Sequence, residues 1–214
     1  MGLDSSHKDY SEESRALFTS SSARADGVVY LDPDDPHLHH DDLLSIYANP
    51  AQPNLLKLSY GFTYRPFPSP DATAVWASAP ETSLGPLEIW VSHGPPKGRL
   101  DDVGLFPFNL YLKGCEAQRQ KIAAAKPLVC VFGHFHYSHG VQKVTWRDGA
   151  NIKVGNEVAT SKMVPREEVH DFTDLKPGKE TVFINAAWMT VLGPHVKKRN
   201  LPIVFDLEYT PPSD

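Results

Sequence analysis

Three histidines follow two predicted buried strands of the sequence. His93 comes just after residues 87–91, and His134 and His136 come just after residues 128–132. In open α/β sheets, ligands bind outside the carboxyl ends of the strands, so these histidines fall where a site belongs. Neutral imidazoles are common ligands for zinc, manganese and iron. We therefore predict that His93, His134 and His136 are metal ligands.

The spacing of the second pair supports this prediction. On an extended chain, residues two apart point to the same side, which would direct the rings of His134 and His136 together. Gly133 precedes them and permits a tight turn of the backbone. Loop histidines with ordinary hydrogen bonds are the alternative interpretation.

Polar residues near these histidines are candidates for substrate binding. Lys97 and Arg99 lie in the Gly-Pro-rich loop after His93 and are suited to meet a phosphate, although solvated surface charges are an equal alternative. Asn185 ends another apolar segment and would either orient a ligand or cap the following loop. With Gly94, these residues form the predicted substrate-binding set.

The elements that would position these residues follow from the apolar pattern. Continuously apolar runs bounded by turn residues indicate strands buried on both faces. The predicted strands are residues 27–31, 43–47, 87–91, 128–132, 181–185 and 202–207, with a hairpin formed by 141–146 and 151–154. Residues 114–126 are predicted to be helical, and residues 50–86 to form a long loop with one short helix near 72–78. Residues 1–26 are predicted to be a polar segment with a short helix, followed by one domain over 27–214.

Composition narrows the range of functions. The 214 residues include 21 Lys and Arg against 26 Asp and Glu, a net charge of −5, which argues against a nucleic-acid or anionic membrane partner. There is no apolar run long enough to span a membrane. The polar N-terminal residues do not resemble a secretory signal, and two cysteines do not make a disulfide framework. We expect a cytoplasmic protein.

Several motifs occur in an order and spacing typical of one enzyme family. They are Ser92-His93-Gly94-Pro95-Pro96, Phe132-Gly133-His134-Phe135-His136 and Phe183-Ile184-Asn185. On these motifs, residues 27–208 resemble the second half of a calcineurin-like metallophosphoesterase domain. The resemblance implies an α/β fold: a sandwich of two mixed β-sheets flanked by helices, lacking the first strands. It also implies that His93 and His134 bind one metal ion and His136 a second.

The motifs of the first half of that family are missing. The Asp-x-His, Gly-Asp and Gly-Asn-His segments would supply the bridging carboxylate, and three histidines alone bring no negative charge to offset two dications. The resemblance therefore implies a hydrolase of phosphomonoesters or diesters that uses metal-activated water, with one Mn, Fe or Zn ion, or none, instead of a pair.

Two other functions are left open by the sequence. In the first, the chain is a non-catalytic relative whose pocket binds a small molecule or a partner protein. Alternatively, it would be a reassigned enzyme in which the aromatic-rich residues 60–76 line an apolar pocket. For the hydrolase, the partner would be a small phosphorylated substrate. Because missing strands would leave sheet edges uncovered, we also predict a homo-oligomer.

Overall fold

The computed structural model describes residues 11–31, 38–40, 44–54, 61–66, 68–81, 87–104, 113–148, 157–165, 169–190 and 199–208. The helices are α1 (Ser11–Phe18), α2 (Ser21–Ala25), α3 (Pro70–Val75) and α4 (Glu116–Ala125). The strands are β1 (Leu38–His40), β2 (Ser45–Asn49), β3 (Gln52–Pro53), β4 (Thr63–Tyr64), β5 (Ile89–Ser92), β6 (Val129–Phe132), β7 (Gly140–Trp146), β8 (Val158–Val164), β9 (Val169–Asp171), β10 (Glu180–Asn185) and β11 (Val204–Asp206). In the part of the chain described, no helix is long and apolar enough to cross a membrane.

A seven-stranded mixed sheet forms the centre of the fold, with strand order β1-β2-β5-β6-β10-β7-β8. The four strands β2, β5, β6 and β10 run parallel, whereas β1, β7 and β8 pair antiparallel with their neighbours. Two further pairs, β3 with β4 and β9 with β11, are parallel and only two strands wide. All four parallel strands therefore end at the same edge of the large sheet.

Both faces of the central strands are covered, which explains their continuously apolar sequences. Along β6, Cys130 and Phe132 belong to one buried cluster, and Val129 belongs to a second. The first cluster contains the aromatic core, with Trp76 and Trp90 stacked at 5.8 Å between ring centroids. Side chains two apart on a strand share a face, so this division between clusters is what the strand geometry requires.

The start of α4 is fixed by a chain of buried polar groups. Cys115 caps the helix, its Sγ accepting from the backbone amide of Gln118 at 3.4 Å. The same sulfur accepts a hydrogen bond from the hydroxyl of Tyr64 at 2.9 Å, and that hydroxyl accepts from Trp76 Nε1 at 3.2 Å. The helix ends at Lys126, which adopts the left-handed conformation ahead of Pro127. These bonds join α3, β4 and α4.

The α/β class and most of the predicted core strands are confirmed. Strands β2, β5, β6, β10 and β11, the helix α4 and a helix near residue 72 all occur near their predicted places. The described strands form one large sheet and two small ones, so the two-sheet sandwich stays a prediction. The second hairpin strand was predicted at 151–154, which lies outside the described residues, and the observed partner of β7 is β8.

Other predicted elements are wrong. Residues 28–31 form no strand; Val28 and Val29 are exposed, and the run pairs with none of the described strands. Strands β3 and β4 lie inside the predicted long loop, and β1 lies between the segments 27–31 and 43–47, where no strand was predicted. These short strands pair with the strand next to them in the sequence, β1 with β2 and β3 with β4, and their two or three residues are too few to give a recognisable local pattern.

Gly114 is required by a close backbone contact, and replacing it tests the packing of this loop. A Cβ at position 114 would lie 2.5 Å from the carbonyl oxygen of Pro95, and these backbone atoms cannot rotate away. We expect Gly114→Ala to lower the free energy of unfolding by about 2 kcal/mol, measured by chemical denaturation. Gly61→Ala is the matched control: its Cβ meets nothing within 4 Å, and we expect a change below about 0.5 kcal/mol. Equal effects in the two variants would contradict this account.

Candidate functional site and comparison with known proteins

The carboxyl edge of the parallel strands gathers several polar residues. Asn49 ends β2, His93 follows β5, His134 lies two residues after β6, and Asn185 ends β10. The backbone amide of Gly133 donates to the carbonyl of His93 at 3.0 Å, which joins the loops after β5 and β6. The sheet topology therefore brings His93 and His134 together, as the sequence predicts.

The two imidazoles form a hydrogen-bonded pair. Nε2 of His93 lies 3.2 Å from Nδ1 of His134, and the ring centroids are 4.8 Å apart. One ring donates and the other accepts, so the pair shares one proton along this contact. His134 has φ of +69°, a left-handed conformation that costs a non-glycine residue free energy. The surrounding loops hold this residue in place against that strain.

Both imidazoles favour the neutral state. Partial burial of the His93 imidazole lowers the pKa of that residue. The pKa of His134 is lowered to about 4, first by burial and then by the proximity of His93 and His136, whose protonation would place like charges together. Near neutral pH, the pair is therefore uncharged, with outer faces exposed to solvent.

His136 is not presented in the way that the sequence predicts. The prediction required an extended chain across residues 134–136, but His134 is left-handed and His136 begins a single turn of 3₁₀ helix, His136–Ser138. The alternation of side chains on a strand does not apply to such a turn. Nδ1 of His136 is buried without a hydrogen-bond partner among the described residues, while the His93 and His134 rings bond each other.

The donor groups at this edge do not fit a two-ion centre. Such a centre needs carboxylates to hold two dications close together. Within the described ranges, no group of three or more His, Cys, Asp or Glu side chains is arranged to hold a metal ion. Binding of a single Mn, Fe or Zn ion by His93, His134 or His136 stays a prediction.

Gln118 and Gly94 position the loop that carries His93. The buried amide of Gln118 donates from Nε2 to the hydroxyl of Ser92 at 2.7 Å and to the carbonyl of Gly94 at 3.3 Å. Gly94 lies under the His134 ring, where an added Cβ would be 3.8 Å from Cδ2 of that ring. Gly94 thus adjoins the histidine pair, and its role in substrate binding stays a prediction.

Lys97 and Arg99 lie in the same loop but are directed to protein groups. Nζ of Lys97 is 3.7 Å from a carboxylate oxygen of Glu116. The guanidinium of Arg99 donates to the carbonyl of Gly98 at 2.8 Å and lies 5.8 Å from the centroid of the Phe183 ring. Burial and the charge of Arg119 lower the pKa of Arg99. Substrate binding by Lys97 and Arg99 stays a prediction.

Asn185 is fully buried, and its amide is occupied by backbone groups. Nδ2 donates to the carbonyls of Phe135 at 2.8 Å and Leu100 at 3.3 Å, and Oδ1 accepts from the amide of Ala187 at 3.0 Å. The last bond is the capping role that the sequence offers as an alternative to ligand binding. The other two bonds join the loops after β5 and β6 to the end of β10.

A cleft of 680 Å³ lies beside this edge, beyond the turn that follows His134. Its apolar lining comes from the β7–β8 pair, including Val141 and Val164, and from residues 199–204. His139, His170 and Thr190 add polar groups, and His170 is buried against Phe172 with ring centroids 5.5 Å apart. This volume falls in the range of small-molecule sites, about 300–1,000 Å³.

An exposed tryptophan, Trp188, contacts an arginine that lines the cleft. The indole of Trp188 is 55% exposed, and the guanidinium carbon of Arg199, which lines the cleft, lies 4.2 Å from the ring centroid. The amide of Asn200 donates to the carbonyl of Trp188, and the side chain of Asn200 donates to the carbonyls of Ala187 and Met189. These bonds hold residues 187–190 against 199–200 and present Trp188 and Arg199 together.

No model of a known protein family matches the chain. A segment of 105 residues, 48% of the chain, is 30% identical to a protein of Emericella nidulans described as a probable rhamnogalacturonate lyase C. That segment spans only 8% of the relative's length, so the activity of the whole relative is not established for this chain.

The metallophosphoesterase resemblance is therefore wrong. The similarity found is to a polysaccharide lyase rather than to a phosphoesterase, and the described residues hold no group suited to a metal centre. The expectations of a metal-dependent phosphoesterase and of phosphatase activity, which rested on that resemblance, are also wrong. The quoted motifs place histidines at strand ends, but this placement alone does not specify a ligand set. The cytoplasmic location stays a prediction.

No sequence motif marks Trp188, Arg199 or the cleft as functional. Arg199 lies far along the chain from β7 and β8, so no local pattern joins it to their residues. One signal was present: Trp188 follows the buried strand β10 by three residues, at the edge where ligands bind. A large aromatic residue in such a loop is a candidate for ligand contact.

Replacing Asn185 tests its role as the residue that joins the loops. We expect Asn185→Ala to lower the free energy of unfolding by about 2–4 kcal/mol, because it leaves two carbonyls and one amide without their partner. Asn185→Asp retains the bond to Ala187 but places a carboxylate against the two carbonyls. Its free energy of unfolding should therefore fall by at least as much. Thermal unfolding checks both variants, and a stable Asn185→Asp protein would contradict the assignment.

The lowered pKa of His134 predicts a dependence of stability on pH. In the unfolded chain, histidine takes up a proton near pH 6.5, whereas folded His134 does so only near pH 4. Stability is therefore lost as pH falls from about 6.5 to about 4, by less than about 1 kcal/mol since the ring is partly exposed.

His134→Asn removes this titration, and Asn tolerates the left-handed backbone. We expect the difference in unfolding free energy between pH 7 and pH 4.5 to shrink in this variant relative to the native chain. Urea denaturation at the two pH values measures it, and identical pH profiles would count against the assigned pKa.

Proposed function

We propose that this protein is a carbohydrate-active protein that binds acidic saccharides in the cleft lined by residues 199–204. The observation that carries the proposal is Arg199, which lines that cleft and lies 4.2 Å over the exposed ring of Trp188. The similarity to a rhamnogalacturonate lyase supports it, since a galacturonate unit carries a carboxylate.

The stacked pair suits a sugar acid. An aromatic face is an apolar surface on which the C–H face of a sugar ring can pack. A guanidinium that is stacked through its face keeps its N–H groups in the plane, where they donate to a carboxylate in a bidentate manner. Stacking on Trp188 also restricts the mobility of Arg199, which lowers the entropy lost on binding.

The rest of the cleft supplies the other requirements of a saccharide site. Val141, Val164 and Ile203 provide apolar contact area, and the Thr190 and His139 side chains add polar atoms within the same lining. A few placed polar groups in a mainly apolar cleft are typical of small-molecule sites. A preference for acidic over neutral sugars is then assigned to Arg199.

Binding of a galacturonate oligosaccharide, compared with a neutral galactose oligosaccharide, tests the proposal. We expect Arg199→Gln to weaken binding of the acidic ligand about tenfold or more and to leave the neutral ligand little changed, because only the acidic ligand has a carboxylate to pair. Trp188→Ala should weaken both ligands. Isothermal titration calorimetry measures these affinities.

Arg65→Gln is the matched control. Arg65 is an exposed arginine paired with Asp71 outside the cleft, so its loss should leave both affinities unchanged. Absence of binding at millimolar ligand, or equal losses for Arg65→Gln and Arg199→Gln, would overturn the proposed function.

A further inference from the structure

The outer edge of β8 is the longest uncovered strand edge in the part of the chain described. Strand β8 is the last in its sheet and pairs through one edge with β7. Residues 159–163 are all exposed, so neither face of the strand is covered at its centre. A strand edge of this kind offers a row of backbone donors and acceptors to another strand.

Few of the features that protect strand edges are present on β8. Its seven residues contain one charge, Lys162, and no proline; Pro165 comes only after the strand. The bulge in the β7–β8 pair lies at the start of β8, next to Val158, and leaves the rest of the strand regular. Met163 is 54% exposed on this edge strand. The edge is therefore competent to pair along most of its length.

When two copies of β8 run antiparallel to each other, the residues that face each other are compatible. In an antiparallel pair of two β8 strands centred on Ser161, Val158 lies opposite Val164, Ala159 opposite Met163, and Thr160 opposite Lys162. Apolar residues meet apolar residues at both ends, and residues 160–162, which lie outside the bulge, are paired on both copies. A register centred on Lys162 instead would place two like charges directly opposite each other, which destabilises a strand pair.

We propose that two copies of this chain associate through antiparallel pairing of β8 with β8, about a two-fold axis at Ser161. Such an interface is isologous, with the same patch used on both copies, and it closes after two chains. The pairing joins two seven-stranded sheets and covers both β8 edges. It does not depend on the proposed saccharide site.

Cysteine cross-linking tests the pairing and its register. Ser161→Cys should form a covalent dimer under mild oxidation, because residue 161 faces its own copy across the axis at a separation that a disulfide can span. Thr160→Cys alone should not, since its copies are diagonal at about 7–8 Å. A mixture of Thr160→Cys with Lys162→Cys should cross-link. The native Cys115 and Cys130 are buried and do not compete.

The solution mass gives an independent measurement. We expect the native chain to have twice the mass of one chain at micromolar concentration, and Ser161→Glu, which places two carboxylates opposite each other, to have the mass of one chain and to unfold cooperatively at a melting temperature that does not depend on protein concentration. A native chain that is monomeric up to hundreds of micromolar would overturn the proposal. A dimer that persists in Ser161→Glu, or that fails to cross-link through Ser161→Cys, would overturn it equally.

Discussion

The buried amide of Asn185 holds together the edge of the sheet on which the rest of the structure depends. It satisfies carbonyls from the loops after β5 and β6 and, through Oδ1, fixes the first turn after β10. Each of these loops carries a different part of the site. A buried amide group that loses a hydrogen-bond partner costs free energy, so movement of any one loop is unfavourable. The loops after β5, β6 and β10 are therefore kept in one arrangement.

Two features of the site follow from this arrangement. The carbonyl of Phe135, which Asn185 binds, directly follows His134, so the bond helps to maintain the left-handed backbone and the contact with His93. On the other side, Ala187 leads to Trp188, which the bonds of Asn200 align with Arg199. The neutral histidine pair and the Trp188–Arg199 pair thus share one structural support, although they differ in chemistry.

The sequence predicts the central strands well because burial on both faces leaves a continuous apolar pattern. Strand β6 and its parallel neighbour β10 follow directly from that pattern, and the meeting of His93 with His134 follows from their positions at strand ends. The pattern fails where tertiary contacts decide the structure. Residues 28–31 are as apolar as a strand but pair with none of the described strands, whereas the short β9 pairs with β11, far along the chain.

The metallophosphoesterase assignment fails for a related reason. A His-x-His sequence was interpreted on an extended backbone, whereas His134 is left-handed and His136 lies in a helical turn. The motifs that resemble a phosphoesterase already lacked the carboxylates that such a centre requires, and the described residues hold no group of three or more His, Cys, Asp or Glu side chains that could replace them. The cleft is built from segments far apart in the chain, and only the folded structure shows that Arg199 and Val141 line the same cavity.

The central claim is that the cleft receives an acidic saccharide at Arg199. A crystal structure of the protein with a galacturonate oligosaccharide tests it most directly. The account predicts a carboxylate within hydrogen-bonding distance of the Arg199 guanidinium and a sugar ring in contact with the cleft lining. A saccharide bound elsewhere, such as at the His93–His134 pair with the cleft empty, would contradict it.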